Sequence, residues 1–238
     1  MKAIITGASK GMGKAIATKL VTQGFDIAIC ARDKNQLQQT VNELQALNSQ
    51  ATIFYEVRDI SNKQEAINFG KSVLQELKQI DLLINNAGTF IPGQISNEED
   101  GILEKLMSTN VYSAYHLTRS VIDSMKSNAL QNGSRGHIFN ISSVAALKAY
   151  SHGGSYSISK YALEGFSKNL REELKEDFIK VTTVNPGATM SDSWNGSGVD
   201  EARIMKPEDI ADMIWAIYNL SPQAVVEEIV LRPQLGDL

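Results

Sequence analysis

The sequence predicts an α/β protein built on one doubly wound parallel sheet, with helices on both faces. Short runs rich in Ile, Val and Leu alternate along the chain with segments of helical period. The strand-length runs lack polar alternation, as strands covered on both faces do. No repeat, linker or change of composition divides the 238 residues. We therefore expect one domain, residues 1–238, of the doubly wound Rossmann type with about seven strands.

Seven apolar runs have the length and composition of buried strands. They are Lys2–Thr6, Asp26–Ala31, Thr52–Val57, Asp81–Asn85, His137–Ile141, Lys180–Val184 and Val225–Leu231.

Helical periods fill several of the intervals between these strands. Met12, Ile16 and Leu20 recur at four-residue spacing before Gly24, and a second apolar stripe runs from Leu37 to Leu47. Parallel strands joined by such helices need right-handed crossovers, and their ligands bind at the carboxyl ends of the strands. Further helices are predicted over about Glu98–Lys126, Tyr156–Lys175 and Pro207–Leu220.

Charge and composition exclude several classes of partner. A net charge of −4 argues against a nucleic-acid partner held by bulk electrostatics. No apolar stretch is long enough to span a membrane, and the first strand begins at Lys2, so we expect a cytoplasmic protein without a signal peptide. The single cysteine, Cys30, lies in an apolar run and is expected to be a buried thiol. His116, His137 and His152 lack ligand spacing, so no metal site is predicted.

A glycine-rich turn lies between the first strand and the first helix. Glycines there permit a tight turn and let the backbone approach a pyrophosphate, whose charge then meets the helix N-terminus. The spacing differs from that of the common dinucleotide fingerprint, so the position of the turn carries the prediction. The residues expected to contact the dinucleotide are Gly7, Ser9, Lys10, Gly11, Met12 and Gly13.

The end of the second strand bears on which dinucleotide is bound. An acidic residue about 20 positions after the turn binds the ribose 2′-hydroxyl of NAD, whereas arginine favours the 2′-phosphate of NADP. Arg32 and Asp33 both stand there; Arg32 comes first, and Lys10 adds a second cation. We therefore predict NADP(H). The alternative, that Arg32 and Asp33 are solvated turn residues, stays open.

Tyr156 and Lys160 lie one helical turn apart on one face of a predicted helix. Their spacing alone has little weight, because chance produces such pairs, and an ordinary surface pair is the alternative. The context is more specific, since several short motifs stand in order along the chain. These are Thr6-Gly7 with Gly11 and Gly13, Asp59, Asn85-Asn86-Ala87-Gly88, Asn110, Ser143, Tyr156 with Lys160, and Pro186-Gly187.

With these motifs the sequence resembles the short-chain dehydrogenase/reductase family over essentially its whole length, and in particular carbonyl reductases of the 3-oxoacyl and sepiapterin reductase kinds. The resemblance implies hydride transfer between NADP(H) and a carbonyl or alcohol substrate, with Tyr156 as general acid or base. Lys160 and the charge of oxidised nicotinamide are expected to lower the tyrosine pKa, and Lys160 to hold the nicotinamide ribose. Ser143, in preference to Ser142, would bind the substrate oxygen. Asn110 would position a water that links Lys160 to solvent; the alternative is a buried polar residue that kinks or stabilises its helix.

The resemblance also implies further cofactor contacts. Residues at the adenosine end follow the third and fourth strands, although Asn85 and Asn86 may equally hold strands together. Those at the nicotinamide end follow the sixth strand. The set is Asp59, Ile60, Asn86, Ala87, Gly88, Tyr156, Lys160, Pro186, Gly187, Thr189 and Ser191.

The substrate side is less defined. Small residues surround Trp194 between Ser191 and Asp200, which suits a cover that excludes water, but Trp194 as a packing residue is an equal alternative. Phe90, Tyr150 and Trp194 are expected near strand ends, where they would form an apolar wall. The C-terminus departs from that of acyl-carrier reductases, which disfavours a 3-oxoacyl thioester.

Two other functions remain open. A regulator that binds NADP(H) without turnover would not need the four polar residues together, and an epimerase or dehydratase on this fold usually carries a larger substrate domain. By analogy with the family, we expect a homodimer or homotetramer.

Overall fold

The computed structural model describes residues 1–131, 133–191, 194 and 198–237. Its seven strands form one parallel sheet in the order β3-β2-β1-β4-β5-β6-β7, which confirms the predicted fold class. The strand order reverses between β1 and β4, the position at which sheets of this kind bind ligands. The strands are β1 Lys2–Thr6, β2 Asp26–Ala31, β3 Ile53–Val57, β4 Leu82–Asn85, β5 Gly136–Ile141, β6 Ile179–Pro186 and β7 Glu228–Leu231.

Helices cover both faces of this sheet and bury one apolar cluster on each. Ile16, Leu37 and Ile214 belong to the cluster on one face, and Phe69 and Leu117 to the cluster on the other. The helices are α1 Gly11–Thr22, α2 Lys34–Leu47, α3 Lys63–Leu77, α4 Ile102–Met107, α5 Ser113–Lys126, α6 Gly154–Leu174 and α7 Pro207–Tyr218.

The structure corrects the sequence prediction in three places. Helix α3 was not predicted, although Phe69 and Val73 are buried at helical spacing and Asn62 caps its first turn. Strand β7 begins at Glu228 and not at Val225. The single helix predicted over Glu98–Lys126 is instead two helices, α4 and α5, joined by a π-helical turn over Ser108–Tyr112.

Polar residues are in register across three adjacent strands beneath the carboxyl edge of the sheet. Asn85 of β4 pairs with Asn140 of β5, which pairs with Thr183 of β6. The Asn85 amide donates to Asn140 Oδ1 at 2.8 Å and to Thr118 Oγ1 at 3.1 Å. Asn85 therefore holds strands together, as the structural alternative for this residue predicts.

Two further findings concern the sequence predictions. Among the described residues, no helix combines the length and apolar character needed to cross a membrane. Cys30 is buried, and burial raises the pKa of its thiol to about 12, so it behaves as a packing residue.

Candidate active site

The glycine turn brings the backbone of β1 against the start of α1. Gly7 has a φ of 65°, in the left-handed region that favours glycine. Gly13 is buried, and a Cβ placed on it would lie 2.3 Å from the Gly7 carbonyl oxygen. The turn therefore has the close packing and the exposed helix N-terminus that a pyrophosphate requires.

Asn86 ties the glycine turn to β4. Its side-chain amide donates to the carbonyl oxygens of Thr6 at 2.8 Å and Gly7 at 3.2 Å. The Thr6 hydroxyl accepts in return from the backbone N–H of Asn86 at 3.0 Å and of Ala87 at 2.9 Å. These bonds hold together the ends of β1 and β4, where the strand order reverses. The side chain of Asn86 thus has a structural role, because it fixes the glycine turn against β4.

A cleft of about 400 Å³ opens above these strand ends. Its glycine turn, helix N-terminus and exposed cations fit an anionic dinucleotide. Five residues of the predicted set lie outside its lining: Tyr156, Lys160, Pro186, Gly187 and Thr189. Predicted residues that line it are Gly7, Ser9, Lys10, Gly11, Met12, Gly13, Arg32, Asp59, Ile60, Asn86, Ala87, Gly88 and Ser191.

The charges at the end of β2 have separate tasks. The Asp33 carboxylate caps helix α2 by accepting from the Gln36 backbone N–H at 3.0 Å. Arg32 lines the cleft beside it. Arg58 also lines the cleft and donates to Glu56 at 2.8 Å. Sequence reasoning missed Arg58, although it stands directly before Asp59 at the end of β3.

Tyr156 and Lys160 project from the first turns of α6 into the interior. Lys160 is 5% exposed, and its Nζ donates to the Ile141 carbonyl at the end of β5 at 3.0 Å. Nζ lies 5.8 Å from the centre of the Tyr156 ring. The alternative of an ordinary surface pair is therefore wrong for Lys160.

Burial dominates the pKa values of this pair. It raises the pKa of Tyr156 to about 12; the Ser143 hydroxyl opposes that rise, and Tyr150 adds to it. Burial lowers the pKa of Lys160 to about 8, and Glu164 opposes that fall. The expectation that Lys160 and oxidised nicotinamide together lower the tyrosine pKa concerns the complex with the cofactor and stays a prediction.

The structure distinguishes the two serines after β5. Ser143 contacts Tyr156, and its hydroxyl accepts from the Ala145 N–H at 3.1 Å at the start of a short 3₁₀ helix. The Ser142 hydroxyl donates instead to the Lys160 carbonyl oxygen at 3.4 Å. Only Ser143 therefore faces the tyrosine.

Asn110 lies in the π-helical turn and is 1% exposed. Its Oδ1 accepts from the Thr89 N–H at 2.8 Å, while Nδ2 donates to the Thr89 carbonyl at 3.0 Å and to Ser159 Oγ at 2.9 Å. The side chain thus links the strand β4 exit to the residue beside Lys160. This is the structural role named as the alternative, and the water-positioning role stays a prediction.

A carboxylate that sequence reasoning missed caps helix α6. Glu98 Oε1 accepts from the Ser155 N–H at 2.9 Å, and its other oxygen accepts from the Ser155 hydroxyl. The helix has no cap from Gly153, so Glu98 supplies one from the loop after β4. A Cβ on Gly154 would lie 2.0 Å from Glu98 Oε1. The helical prediction over Glu98 concealed this role.

The same loop places Phe90 against the tyrosine. The Phe90 and Tyr156 rings meet edge to face with centres 4.8 Å apart. Phe90 is 42% exposed and Tyr150 is 45% exposed. Two of the three predicted wall residues therefore stand at Tyr156.

The predicted cover lies largely outside the described residues, which leave out 192–193 and 195–197. Trp194 is half-buried, and its indole N–H donates to the Thr189 carbonyl at 3.1 Å. Thr189 is buried, and its hydroxyl donates to the Gly187 carbonyl at 3.1 Å. These contacts describe packing and leave the cover untested. Among the described residues, no three His, Cys, Asp or Glu side chains converge as metal ligands.

Comparison with known proteins defines the class. The family model of short chain dehydrogenases matches residues 1–202. The chain therefore belongs to the short chain dehydrogenase family and is an oxidoreductase.

Three individual proteins illustrate the likeness. The sepiapterin reductase of Chlorobaculum tepidum is 32% identical over 99% of this chain and 97% of its own length. A metagenomic short-chain oxidoreductase in complex with NADP is 29% identical, with a TM-score of 0.82 over 98% of this chain and 97% of its own. A 7α-hydroxysteroid dehydrogenase with NADH and 7-oxo glycochenodeoxycholic acid is 28% identical, with a TM-score of 0.86 over 99% and 94%.

Proposed function

We propose that the protein is an NADP(H)-dependent reductase that interconverts a carbonyl and a secondary alcohol, with Tyr156 moving the proton. The observation that carries the proposal is the meeting of Tyr156, Ser143 and buried Lys160 beside a cleft with an open glycine turn. NADPH would supply a hydride when bound in that cleft. Cytoplasmic location and a homodimeric or homotetrameric state stay predictions.

The proton chemistry follows from the side chains. The Tyr156 hydroxyl donates its proton to the substrate oxygen as the carbonyl is reduced to the alcohol. The Ser143 hydroxyl binds the same oxygen. The phenol must lose this proton in the transition state, so the burial that raises its pKa to about 12 opposes the transfer. Lys160, when it is protonated, stabilises the Tyr156 phenolate that remains.

The cofactor preference rests on the charges around the cleft. Asp33 caps α2 through one carboxylate oxygen and also lines the cleft, so the preference rests on the cations beside it. Arg32, Lys10 and Arg58 line the cleft and favour the 2′-phosphate of NADP. The NADP complex among the structural relatives supports the same choice, whereas the NADH complex shows that the fold accommodates both.

The substrate is proposed to carry its carbonyl on an apolar or aromatic body. Phe90 packs on the Tyr156 ring, Tyr150 lies close enough to affect the Tyr156 pKa, and the exposed parts of both would pack against such a body. The sepiapterin reductase relative is consistent with an aromatic ring system of this kind. A 3-oxoacyl thioester remains the second substrate class.

Tyr156→Phe tests the catalytic assignment. It removes the donor and keeps the ring that packs against Phe90, so kcat for ketone reduction should fall about 10²–10⁴-fold. NADPH affinity, measured by fluorescence titration, should stay within the error of the wild type. Tyr161→Phe is the matched control, because Tyr161 lies on the same helix and is 47% exposed. Full activity of the Tyr156 variant would remove it from the mechanism.

Arg32→Ala tests the cofactor assignment. Loss of a charge-assisted bond to the 2′-phosphate should lower kcat/KM for NADPH about 10-fold or more, with little change for NADH. Lys34→Ala, in the exposed first turn of α2, is the control. A wild-type preference for NADH would contradict the proposal.

A further inference from the structure

Glu164 is a buried carboxyl group that the reaction described above does not use. It lies one turn after Lys160 on α6 and is 5% exposed. Both carboxylate oxygens lack a hydrogen-bond partner among the described residues. A buried glutamate without an aligned partner is costly, so its presence beside the catalytic lysine requires an explanation.

Asn185 connects Glu164 to the catalytic serine. The Asn185 side chain is fully buried near the end of β6, and its Oδ1 accepts from the Ser143 backbone N–H at 3.2 Å. Its Nδ2 makes no aligned hydrogen bond within the described part of the chain. The amide is nevertheless close enough to Glu164 to lower the pKa of that carboxyl group. One side chain thus touches both Ser143 and Glu164.

The charges around Glu164 come from two elements. Burial raises its pKa, and Glu228 of β7 does the same; Lys168 and Arg171 of α6 lower it, as Asn185 does. Glu164 in turn raises the pKa of Lys160 against the effect of burial. A carboxylate one turn away therefore favours the ammonium form of a lysine that burial would otherwise neutralise.

We propose that Glu164 is a positioning residue of the reaction, which holds Lys160 as an ammonium by its charge and fixes Ser143 through Asn185. This inference rests on the proposed function of Tyr156, Ser143 and Lys160. Glu164 contacts neither substrate nor cofactor in this proposal. It acts from behind the site, between α6 and β6.

Glu164→Gln tests the charge directly, because glutamine keeps the shape and the polar group facing Asn185. In protein labelled with ¹³C-lysine and free of cofactor, the Lys160 Cε resonance should titrate about one pH unit lower than in the wild type. The resonance is assigned by its loss in Lys160→Arg. The alkaline limb of the kcat profile for NADPH-dependent ketone reduction should move in the same direction.

Glu173→Gln is the matched control, since it makes the same change at an exposed position of α6. It should leave the Lys160 titration and the pH profile unchanged. An unshifted Lys160 titration in Glu164→Gln would overturn the charge effect. Because this readout needs no turnover, it stands apart from the proposed function, which fails if Tyr156→Phe is fully active.

Asn185→Ala tests the other end of the chain of contacts, and also serves if Glu164→Gln fails to fold. The Ser143 N–H loses its acceptor, so the plateau value of kcat should fall about tenfold while NADPH affinity is kept. Glu164→Leu should lower the same plateau, because it removes the polar group that faces Asn185. Glu164→Gln keeps that group and should keep the plateau. A wild-type plateau in Asn185→Ala would overturn the link to Ser143.

Discussion

Replacement of Gly13 by alanine tests the packing on which the cofactor cleft depends. The new Cβ would lie 2.3 Å from the Gly7 carbonyl oxygen and 2.5 Å from Asn86 Nδ2. Neither group can move freely, because Asn86 bonds to Gly7 and Thr6 and so joins β1 to β4. Overpacking of this kind costs about 1–3 kcal/mol. Alanine regains up to about 1 kcal/mol through its helix propensity.

Because the 2.3 Å contact is with backbone, we take the upper end of the overpacking range, so the net loss should be about 2 kcal/mol, or about 4–8 °C in Tm for a chain of this size. Thermal unfolding followed by circular dichroism measures it, with and without NADPH. The rise in Tm that NADPH produces should also shrink, because displacement of the Gly7 carbonyl reshapes the turn and weakens binding.

Gly165 provides the matched control for this experiment. It lies in the interior of α6, and a Cβ there would meet nothing within 4 Å. Gly165→Ala should therefore raise Tm by about 2–4 °C, since alanine stabilises an exposed helical position by about 1 kcal/mol. A Gly13→Ala variant as stable as the wild type, with an undiminished response to NADPH, would refute the packing argument.

Two further predictions concern stability. Glu98→Ala removes both hydrogen-bond acceptors of Ser155, so the free energy of unfolding should fall by about 1–2 kcal/mol. Urea titration measures this change, and Glu99→Ala, the control, should have no effect. An equal effect of both variants would exclude the cap. His137 is buried and burial holds its pKa at about 3, below the ordinary 6.5, so the unfolded chain takes up the proton first. Neutral His137 therefore stabilises the folded state fully above pH 6.5. This stabilisation declines as the pH falls toward 3, and at pH 5 it is smaller by roughly 2 kcal/mol. In His137→Gln the difference in unfolding free energy between pH 8 and pH 5 should be smaller by that amount; an unchanged difference would contradict it.

Much of the fold could be predicted because buried strands have a strong local signal. The runs Asp26–Ala31 and His137–Ile141 are mostly apolar, and both are strands buried on both faces of the sheet. The sequence allows a kinked helix at Asn110, but the preferences of single residues do not distinguish a π-helical turn from other breaks. The geometry of this turn depends on bonds from Asn110 to Thr89 and Ser159, which are distant in sequence.

The site shows the same division between local and distant information. The glycine turn and the residues after each strand were predicted from position, because parallel strands bring their ends to one edge. The polar partners that hold them were not. Glu98 lies in a loop without any motif, and Glu164 has the sequence context of an ordinary helical residue. Their roles appear only when α6 is packed against β6 and against the loop after β4.

Helix α6 is held at two levels. At its start, Glu98 binds Ser155, and the loop that carries Glu98 also places Phe90 against Tyr156. One turn beyond Lys160, Glu164 faces Asn185. Under the proposed function, a ketone that packs on Phe90 would contact the loop that caps the helix, and so would influence Tyr156 without touching its hydroxyl. Under the same proposal the carboxylates before and after Tyr156 and Lys160 would act on different steps, Glu98 on the fit of the substrate and Glu164 on the charge of Lys160.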